Sequence, residues 1–251
     1  MELKQVVAFL DGLLKIVKIE DSSHNGLQVE NRGRVTRICA GVDASLEFFE
    51  AARKRQGDLL ICHHGLSWGD SLKRLTHLNY RRVATLIRND QALYASHLPL
   101  DAHPRFGNNI LLARALGLRQ LSRFGEYHGV KIGYAGALSR SLTVKEFAVR
   151  VETVLGQKPT VMDFGSALIR RVGVVSGGAA LELEEAQNRG LDALVTGEVC
   201  LQGYTLARDL GINAIFGGHY ATERFGVKAL AEAVSRRFRI PSEMIDLSVL
   251  Q

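Results

Sequence analysis

The chain has 251 residues, of which 46% are hydrophobic and 23% charged, as in an ordinary soluble globular protein. Its formal net charge of +6 comes from 32 basic against 26 acidic residues, with only small basic clusters such as Arg32/Arg34/Arg37 and Arg236/Arg237/Arg239. A basic surface favours anionic partners such as nucleotides or nucleic acid. No RNA-recognition, helix-turn-helix or zinc-finger pattern is present, so a merely solvated basic surface is the other interpretation.

The three cysteines, Cys39, Cys62 and Cys200, form no C-x-x-C pair, and their odd number argues against a disulfide framework. This cysteine usage predicts a reducing, cytoplasmic compartment. Charges interrupt the apolar N-terminus, MELKQVVAFLDGLLK, so it lacks the continuous core of a secretory signal. The chain has no run of about 18 apolar residues, and we expect no membrane-spanning helix.

The first half of the chain alternates between helical and extended patterns of apolar residues. The predicted elements are a helix over 2–18, a strand over 35–42, a helix over 44–55, a strand over 58–62, a helix over 72–89, a strand over 92–96 and a helix over 107–116. Such alternation is typical of a parallel sheet packed between helices.

The second half begins less regularly, with a soft boundary near 120–128 and a loop or edge strand at 157–165. The other predicted elements are a strand over 129–138, a helix over 144–155, a strand over 169–175, a helix through 187, a strand over 193–195, a helix over 201–210, a strand over 212–216, a helix over 222–238 and a last strand over 245–249. We therefore expect two α/β domains, 1–125 and 126–251, each with its own sheet.

Polar side chains accumulate where the predicted strands stop. They are His63, His64, His97, Asp101, Glu198 and His219. In open α/β sheets, ligands bind outside the carboxyl ends of the strands, so this shared placement indicates a site. Histidine and carboxylate ligands favour divalent transition metals such as Zn, Fe, Mn, Co or Ni, and a pair of such ions forms a hydrolytic centre.

Each of these signals also has a structural interpretation. One histidine of the His63–His64 pair could cap a helix while the other is buried and hydrogen-bonded. His219 and Glu223 are four residues apart at the start of a predicted helix and face the same side, which suits two metal ligands. Glu223 would equally be favoured by the dipole at a helix N-terminus. Asp101, four residues after His97, is either a ligand or an N-cap.

Several short segments occur in one order along the chain: SHNGLQVE (23–30), GVDAS (41–45), HHGLSW (63–68), HLPLDAHPRFGNN (97–109), TGEV (196–199) and GGHYATERFGV (217–227). Together they resemble the NIF-three-like family, also labelled GTP cyclohydrolase I type 2 homologues, from about residue 20 to residue 240. The resemblance implies two intertwined α/β domains with mixed, largely parallel sheets flanked by helices, and a dinuclear metal site in the cleft between them. It also implies a homo-oligomer, a hexameric ring.

By this resemblance, His63 and Asp101 hold one divalent metal ion, His64 and His219 hold the other, and Glu223 bridges both. Many family members have His-His-Pro where this chain has His-His-Gly. Gly65 therefore replaces a rigid residue with a flexible one beside two of the ligands.

The resemblance and the site together predict a metal-dependent hydrolase acting on a nucleotide-like substrate, through water acidified by two cations. His97 or Glu198 would transfer protons, or His97 would orient Asp101. Thr222 and Arg224 flank the bridging residue, and Arg224 either binds a substrate phosphate or forms a structural ion pair.

Three further alternatives stay open. The protein could be a non-catalytic metal-binding scaffold or regulatory interaction protein. It could instead take part in nucleic-acid binding or repair. Gly177 and Gly178, before a predicted helix, suit either an anion site or a tight turn.

Overall fold

The computed structural model describes residues 1–247, and the protein divides into two compact units. Among the described residues, unit 1 comprises Met1–Leu100 together with residues 226–247, and unit 2 comprises Asp101–Phe225. This division differs from the expected boundary at residue 125. The chain re-enters unit 1 inside one continuous helix, a point that no glycine-rich or proline-rich stretch marks in the sequence.

The helices and strands follow each other in largely the expected order. In chain order the helices are α1 (Leu3–Leu14), α2 (Leu46–Lys54), α3 (His77–Arg88), α4 (Leu98–Asp101), α5 (Asn108–Ala115), α6 (Val144–Leu155), α7 (Leu183–Asn188), α8 (Leu201–Leu210) and α9 (His219–Phe238). The strands are β1 (Gly26–Val29), β2 (Ile38–Asp43), β3 (Leu59–His64), β4 (Ala92–Ala95), β5 (Arg119–Tyr127), β6 (Val130–Thr143), β7 (Thr160–Asp163), β8 (Leu168–Val174), β9 (Ala193–Thr196), β10 (Asn213–Phe216) and β11 (Ser242–Met244).

Unit 1 contains a five-stranded sheet in the order β1-β4-β3-β2-β11. The strands β4, β3, β2 and β11 are parallel, and β1 runs antiparallel to β4 at the edge. Strands β3 and β4 are almost wholly buried, as expected for parallel strands covered on both faces. Helix α2 packs Phe48, Phe49 and Ala52 into the core of this unit.

Unit 2 contains a six-stranded mixed sheet in the order β5-β6-β8-β9-β10-β7. Its centre, β8-β9-β10, is parallel, while β5, β6 and β7 add antiparallel pairings on the two sides. The core of this unit gathers Leu112, Phe147 and Val151 around buried strand residues. Both sheets are thus mixed and accompanied by helices, as predicted, although the second is less parallel than the first.

Two strands were not predicted from the sequence. Strand β1 is only partly buried and contains a glycine, so it lacks an apolar run. Strand β5 occupies the stretch where we expected a soft boundary; it forms a hairpin with β6 and exposes most of its charged and polar side chains. The last strand is β11 rather than 245–249, and residues 248 and 249 lie outside the described residues.

Within residues 1–247, no helix has the length and apolar character required to cross a membrane. The described cysteines, Cys39, Cys62 and Cys200, all have free thiols.

Candidate metal centre

His63 and His64 are the last two residues of β3, the central strand of the five-stranded first sheet. His63 is fully buried, and its Nδ1 lies 2.9 Å from the carbonyl oxygen of Ser96, the residue that follows β4. A buried histidine therefore hydrogen-bonds to the neighbouring strand end and has a fixed ring orientation.

His64 is half-buried and has a carboxylate partner. Its Nδ1 lies 2.8 Å from Oδ1 of Asp43, the last residue of β2. The two residues face each other in the parallel register of β2 and β3, which explains why their side chains meet. Asp43 belongs to the GVDAS segment but received no role from the sequence, although it ends a strand like the histidines.

Gly65 follows the histidine pair in a space that a side chain could not occupy. A Cβ atom there would stand 2.4 Å from the amide oxygen of Gln28 and 2.5 Å from the Cβ of Ala95. Gln28 uses this same oxygen to accept hydrogen bonds from the backbone of Leu66 and Ser67. Glycine is thus compatible with this close packing directly after the two histidines.

His97 follows β4 and pairs with Asp21, a residue that sequence reasoning missed. The Nδ1 of His97 lies 3.0 Å and 3.1 Å from the two carboxylate oxygens of Asp21. Asp21 lies just before the SHNGLQVE segment, 76 positions earlier in the chain. No local pattern links the two positions, which is why the pairing could not be predicted.

The three histidines of unit 1 form a compact group. One ligand atom of each of His63, His64 and His97 lies within 4.8 Å of those of the other two. Their ring centroids are 4.7 Å, 5.0 Å and 5.7 Å apart. In each ring Nδ1 is engaged by an oxygen, so Nε2 is the nitrogen through which a metal would be bound. Metal-binding histidines are typically oriented in this way.

Unit 2 carries a second group at the start of α9. The Nε2 of His219 lies 3.0 Å from Oε2 of Glu223, one helical turn later. The Nδ1 of His219 lies 2.6 Å from Oε1 of Glu198, which follows β9. Glu223 is nearly inaccessible, with 4% of its side chain exposed, whereas Glu198 is exposed. The spacing of four residues therefore brings the two predicted ligands together, as expected.

The carboxylates change the proton affinity of His219. The hydrogen bond that His219 donates to Glu223 raises the pKa of His219, partial burial lowers it, and the charge of Glu223 together with the hydrogen bond to Glu198 and its charge raise it further, to about 9. Two anionic groups thus favour a positive charge at this position. A divalent cation is the other species that this donor set would attract.

The glycine loop before α7 approaches these side chains closely. A Cβ atom on Gly177 would stand 2.4 Å from Oε1 of Glu223 and 3.3 Å from Nε2 of His219. One on Gly178 would stand 2.9 Å from Oε2 of Glu198. Gly177 also has a φ of +70°, which a residue with a side chain rarely adopts. The loop is a tight turn built around the His219 group.

Thr222 joins that loop to α9. Its buried hydroxyl accepts a hydrogen bond from the backbone N–H of Gly177 and lies 2.8 Å from the carbonyl oxygen of His219. Arg224 donates a hydrogen bond from Nη2 to the carbonyl oxygen of Leu155, the last residue of α6. Both side chains therefore have structural contacts, and their predicted substrate contacts stay predictions.

Asp101 ends α4 and is buried. Its Oδ1 accepts a hydrogen bond from Nδ2 of Asn108, the first residue of α5, at 2.9 Å. The next residue, Asn109, accepts a hydrogen bond from the backbone N–H of Ser176 at 2.6 Å. The two asparagines belong to the HLPLDAHPRFGNN segment and were not given a role from the sequence. They hold Asp101 and the start of the glycine loop.

Comparisons with known proteins agree with the resemblance seen in the sequence. The family model described as Duf34/NIF3 (NGG1p interacting factor 3) matches residues 1–249. A protein of Deinococcus radiodurans named GTP cyclohydrolase 1 type 2 homolog is 45% identical over 242 residues, which cover 96% of this chain and 92% of that protein. A protein of Archaeoglobus fulgidus with the same name is 40% identical over 247 residues, which cover 98% of each chain.

Solved structures share the fold over the full length. The protein TTHA1606 from Thermus thermophilus has a TM-score of 0.91 and 37% sequence identity, over 99% of both chains. Protein ybgI, described as of unknown function, has a TM-score of 0.93 and 34% identity, also over 99% of both chains. Since the family model spans nearly the whole sequence, and relatives well above 30% identity cover it almost completely, this chain belongs to the Duf34/NIF3 family.

Proposed function

We propose that the protein binds two divalent metal ions and uses them to hydrolyse a nucleotide-like substrate. The main observation in support is that four histidines are hydrogen-bonded in the same way. His63, His64, His97 and His219 each have Nδ1 within 3.0 Å of an oxygen atom. Metal-ligating histidines almost always donate a hydrogen bond from their other ring nitrogen to a carboxylate, a carbonyl or water, and all four histidines have that arrangement here.

The assignment of ligands follows the family resemblance. His63 and Asp101 would hold one ion, His64 and His219 the other, and Glu223 would bridge both. The donor set of imidazole and carboxylate suits Zn, Fe, Mn, Co or Ni. Bound ions of this kind supply Lewis acidity and lower the pKa of water into the neutral range.

The remaining residues of the two groups would orient these ligands. Glu198 fixes the ring of His219, Asp43 fixes His64, and Asn108 holds one oxygen of Asp101. Loss of such partners weakens metal binding in known metal sites by about 10- to 100-fold. We therefore assign Glu198 to orientation of His219 and leave proton transfer to His97.

The substrate class rests on relatives. Proteins 45% and 40% identical to this chain are named GTP cyclohydrolase 1 type 2 homolog, which supports a nucleotide. The formal charge of +6 also favours an anionic substrate. We further propose that the protein is a homohexameric ring and works in the cytoplasm, where its free thiols would stay reduced.

A hydrolysis screen tests the proposal directly. The purified protein, loaded in turn with Mn, Fe and Zn, would be incubated with a panel of nucleotides and nucleosides. We expect metal-dependent turnover of at least one purine compound, lost in Glu223→Gln and kept in Glu184→Gln, an exposed carboxylate on α7. Two bound ions without turnover of any compound would favour the alternative of a metal-binding scaffold or interaction protein, to which the family description refers.

A further inference from the structure

Asp21 is a buried carboxylate surrounded by hydrogen-bond donors. Its side chain is 2% exposed. It accepts hydrogen bonds from the backbone N–H groups of Ser23 and Leu98 and from the side chains of Asn25 and His97. Burial raises the pKa of Asp21, but the hydrogen bonds from His97 and Asn25 outweigh it and lower the pKa to about 2. The group is therefore an anion under all ordinary conditions.

The same short segment holds the backbone of His97. The amide oxygen of Asn25 accepts a hydrogen bond from the backbone N–H of His97 at 2.7 Å. Asp21 contacts the backbone of Leu98 and the ring of His97 at once. Both the main chain and the imidazole at this strand end are thus fixed by residues 21–25, which lie far away in the sequence.

The ring of His97 is enclosed by the other aromatic groups of the site. Its centroid lies 5.0 Å from that of His63, 5.7 Å from that of His64 and 4.9 Å from that of Trp68, which meets it edge to face. Nδ1 faces Asp21. The edge of the ring that carries Nε2 is therefore the edge left to face the other aromatic groups. A rotated ring would exchange the two nitrogens.

We propose that Asp21 is a positioning residue: it fixes the orientation of His97 and its Nδ1–H tautomer, so that Nε2 is the nitrogen presented to the reacting groups. The inference rests on the proposed function, because it states how His97 is prepared for its part in hydrolysis. Asp21 is not among the predicted metal ligands and would act only through His97. The pair is comparable to the Asp–His pair of catalytic triads, in which a buried carboxylate selects the histidine tautomer.

Asp58 provides a matched control within the same unit. Its carboxylate accepts hydrogen bonds from the backbone N–H groups of Thr36 and Arg37 and from the hydroxyl of Thr36. It is thus a carboxylate with a similar number of donors that organises a loop rather than a histidine. Its removal should affect folding stability without affecting His97.

The test is nitrogen NMR of the histidine rings in the full-length protein. The chain has eight histidines, and the signals of His97 are identified by their absence in His97→Gln. In the wild type we expect a protonated Nδ1 and an unprotonated Nε2 for His97. Asp21→Ala should lose that pattern, Asp21→Asn should keep it because the amide oxygen still accepts the bond, and Asp58→Ala should leave it unchanged.

Two results would overturn the inference. One is a His97 pattern that survives Asp21→Ala or changes equally in Asp58→Ala. The other is a loss of bound metal in Asp21→Ala as complete as in His63→Ala, since His97 would then be a metal ligand. Metal content and turnover of the wild type are measured on the same samples. A wild type that binds no metal would refute the proposed function, whereas the ring pattern would still decide the role of Asp21.

Discussion

The Nε2 of His219 lies 3.0 Å from Oε2 of Glu223, across one turn of α9. Two predicted metal ligands are therefore already close enough to share a proton. A metal ion at this point would take the place of that proton, because an imidazole binds metal only in its neutral form. The proposed centre thus needs little rearrangement of these two side chains.

Glu198→Gln should weaken metal binding by about 10- to 100-fold, because the amide no longer offers a charged acceptor to Nδ1 of His219. Competition with a fluorescent chelator would measure the affinity. Glu184→Gln, on the exposed side of α7, is the control and should bind as the wild type does. Equal affinities for all three proteins would remove the orienting role of Glu198.

Gly177→Ala should contain less bound metal than Gly129→Ala, a variant with a similar change in backbone strain. The added methyl group would stand 2.4 Å from Oε1 of Glu223, so the carboxylate has to move. Gly129→Ala separates this effect from backbone strain, because Gly129 has a similar φ of +74° but open space around it. Both variants should lose roughly 1 kcal/mol of stability from the left-handed backbone. Equal metal contents would contradict the close approach.

Binding of Co²⁺ should quench the fluorescence of Trp68, the single tryptophan of the chain. Its ring centroid lies 4.9 Å from that of His97 and 5.8 Å from that of His64. A paramagnetic ion held by His64 would therefore be close enough to quench the indole fluorescence. Zn²⁺ at the same position is diamagnetic and should leave the fluorescence unquenched. His64→Gln should abolish the saturable quenching, and His128→Gln, an exposed residue between β5 and β6, should preserve it. Quenching that never saturates would indicate collisions in solution instead of a site.

Asp21 should make folding stability depend on pH below about pH 4. Its pKa falls from 3.8 to about 2 on folding, so the native state favours the anion. The stabilisation is complete above the unfolded pKa and is lost as the pH falls through the folded one. By linkage it amounts to at most about 2 kcal/mol. Urea titrations should show Asp21→Asn less stable than the wild type at pH 6, with a smaller difference at pH 2. A constant difference would be inconsistent with this pKa.

The clustering of the three histidines of unit 1 was predictable because of where these residues stand in the sequence. His63, His64 and His97 directly end or follow buried strands, and parallel strands bring such ends to one edge of a sheet. Their oxygen partners were not predictable from the same rule. Ser96 acts through its main chain, and Asp21 lies in a loop far away in the sequence. Asp43 ends a strand and could have been included.

The division into units was the least predictable feature. Alternating apolar patterns identified most helices and strands. Strand β5 has exposed charged residues, and its sequence therefore predicted a domain boundary instead of a strand. Helix α9 continues from unit 2 into unit 1 without a break in its pattern. The local sequence pattern of a continuous helix cannot show which unit each of its ends packs into. Long-range pairing, such as that of β11 with β2, decides it.

The central claim is that one glutamate serves two metal ions, and metal analysis of the purified protein tests it most directly. Elemental analysis of the wild type beside Glu223→Ala and Glu184→Ala should find about two divalent ions per chain in the wild type and in Glu184→Ala. It should find none, or one at most, in Glu223→Ala. Retention of two ions in Glu223→Ala would contradict the account.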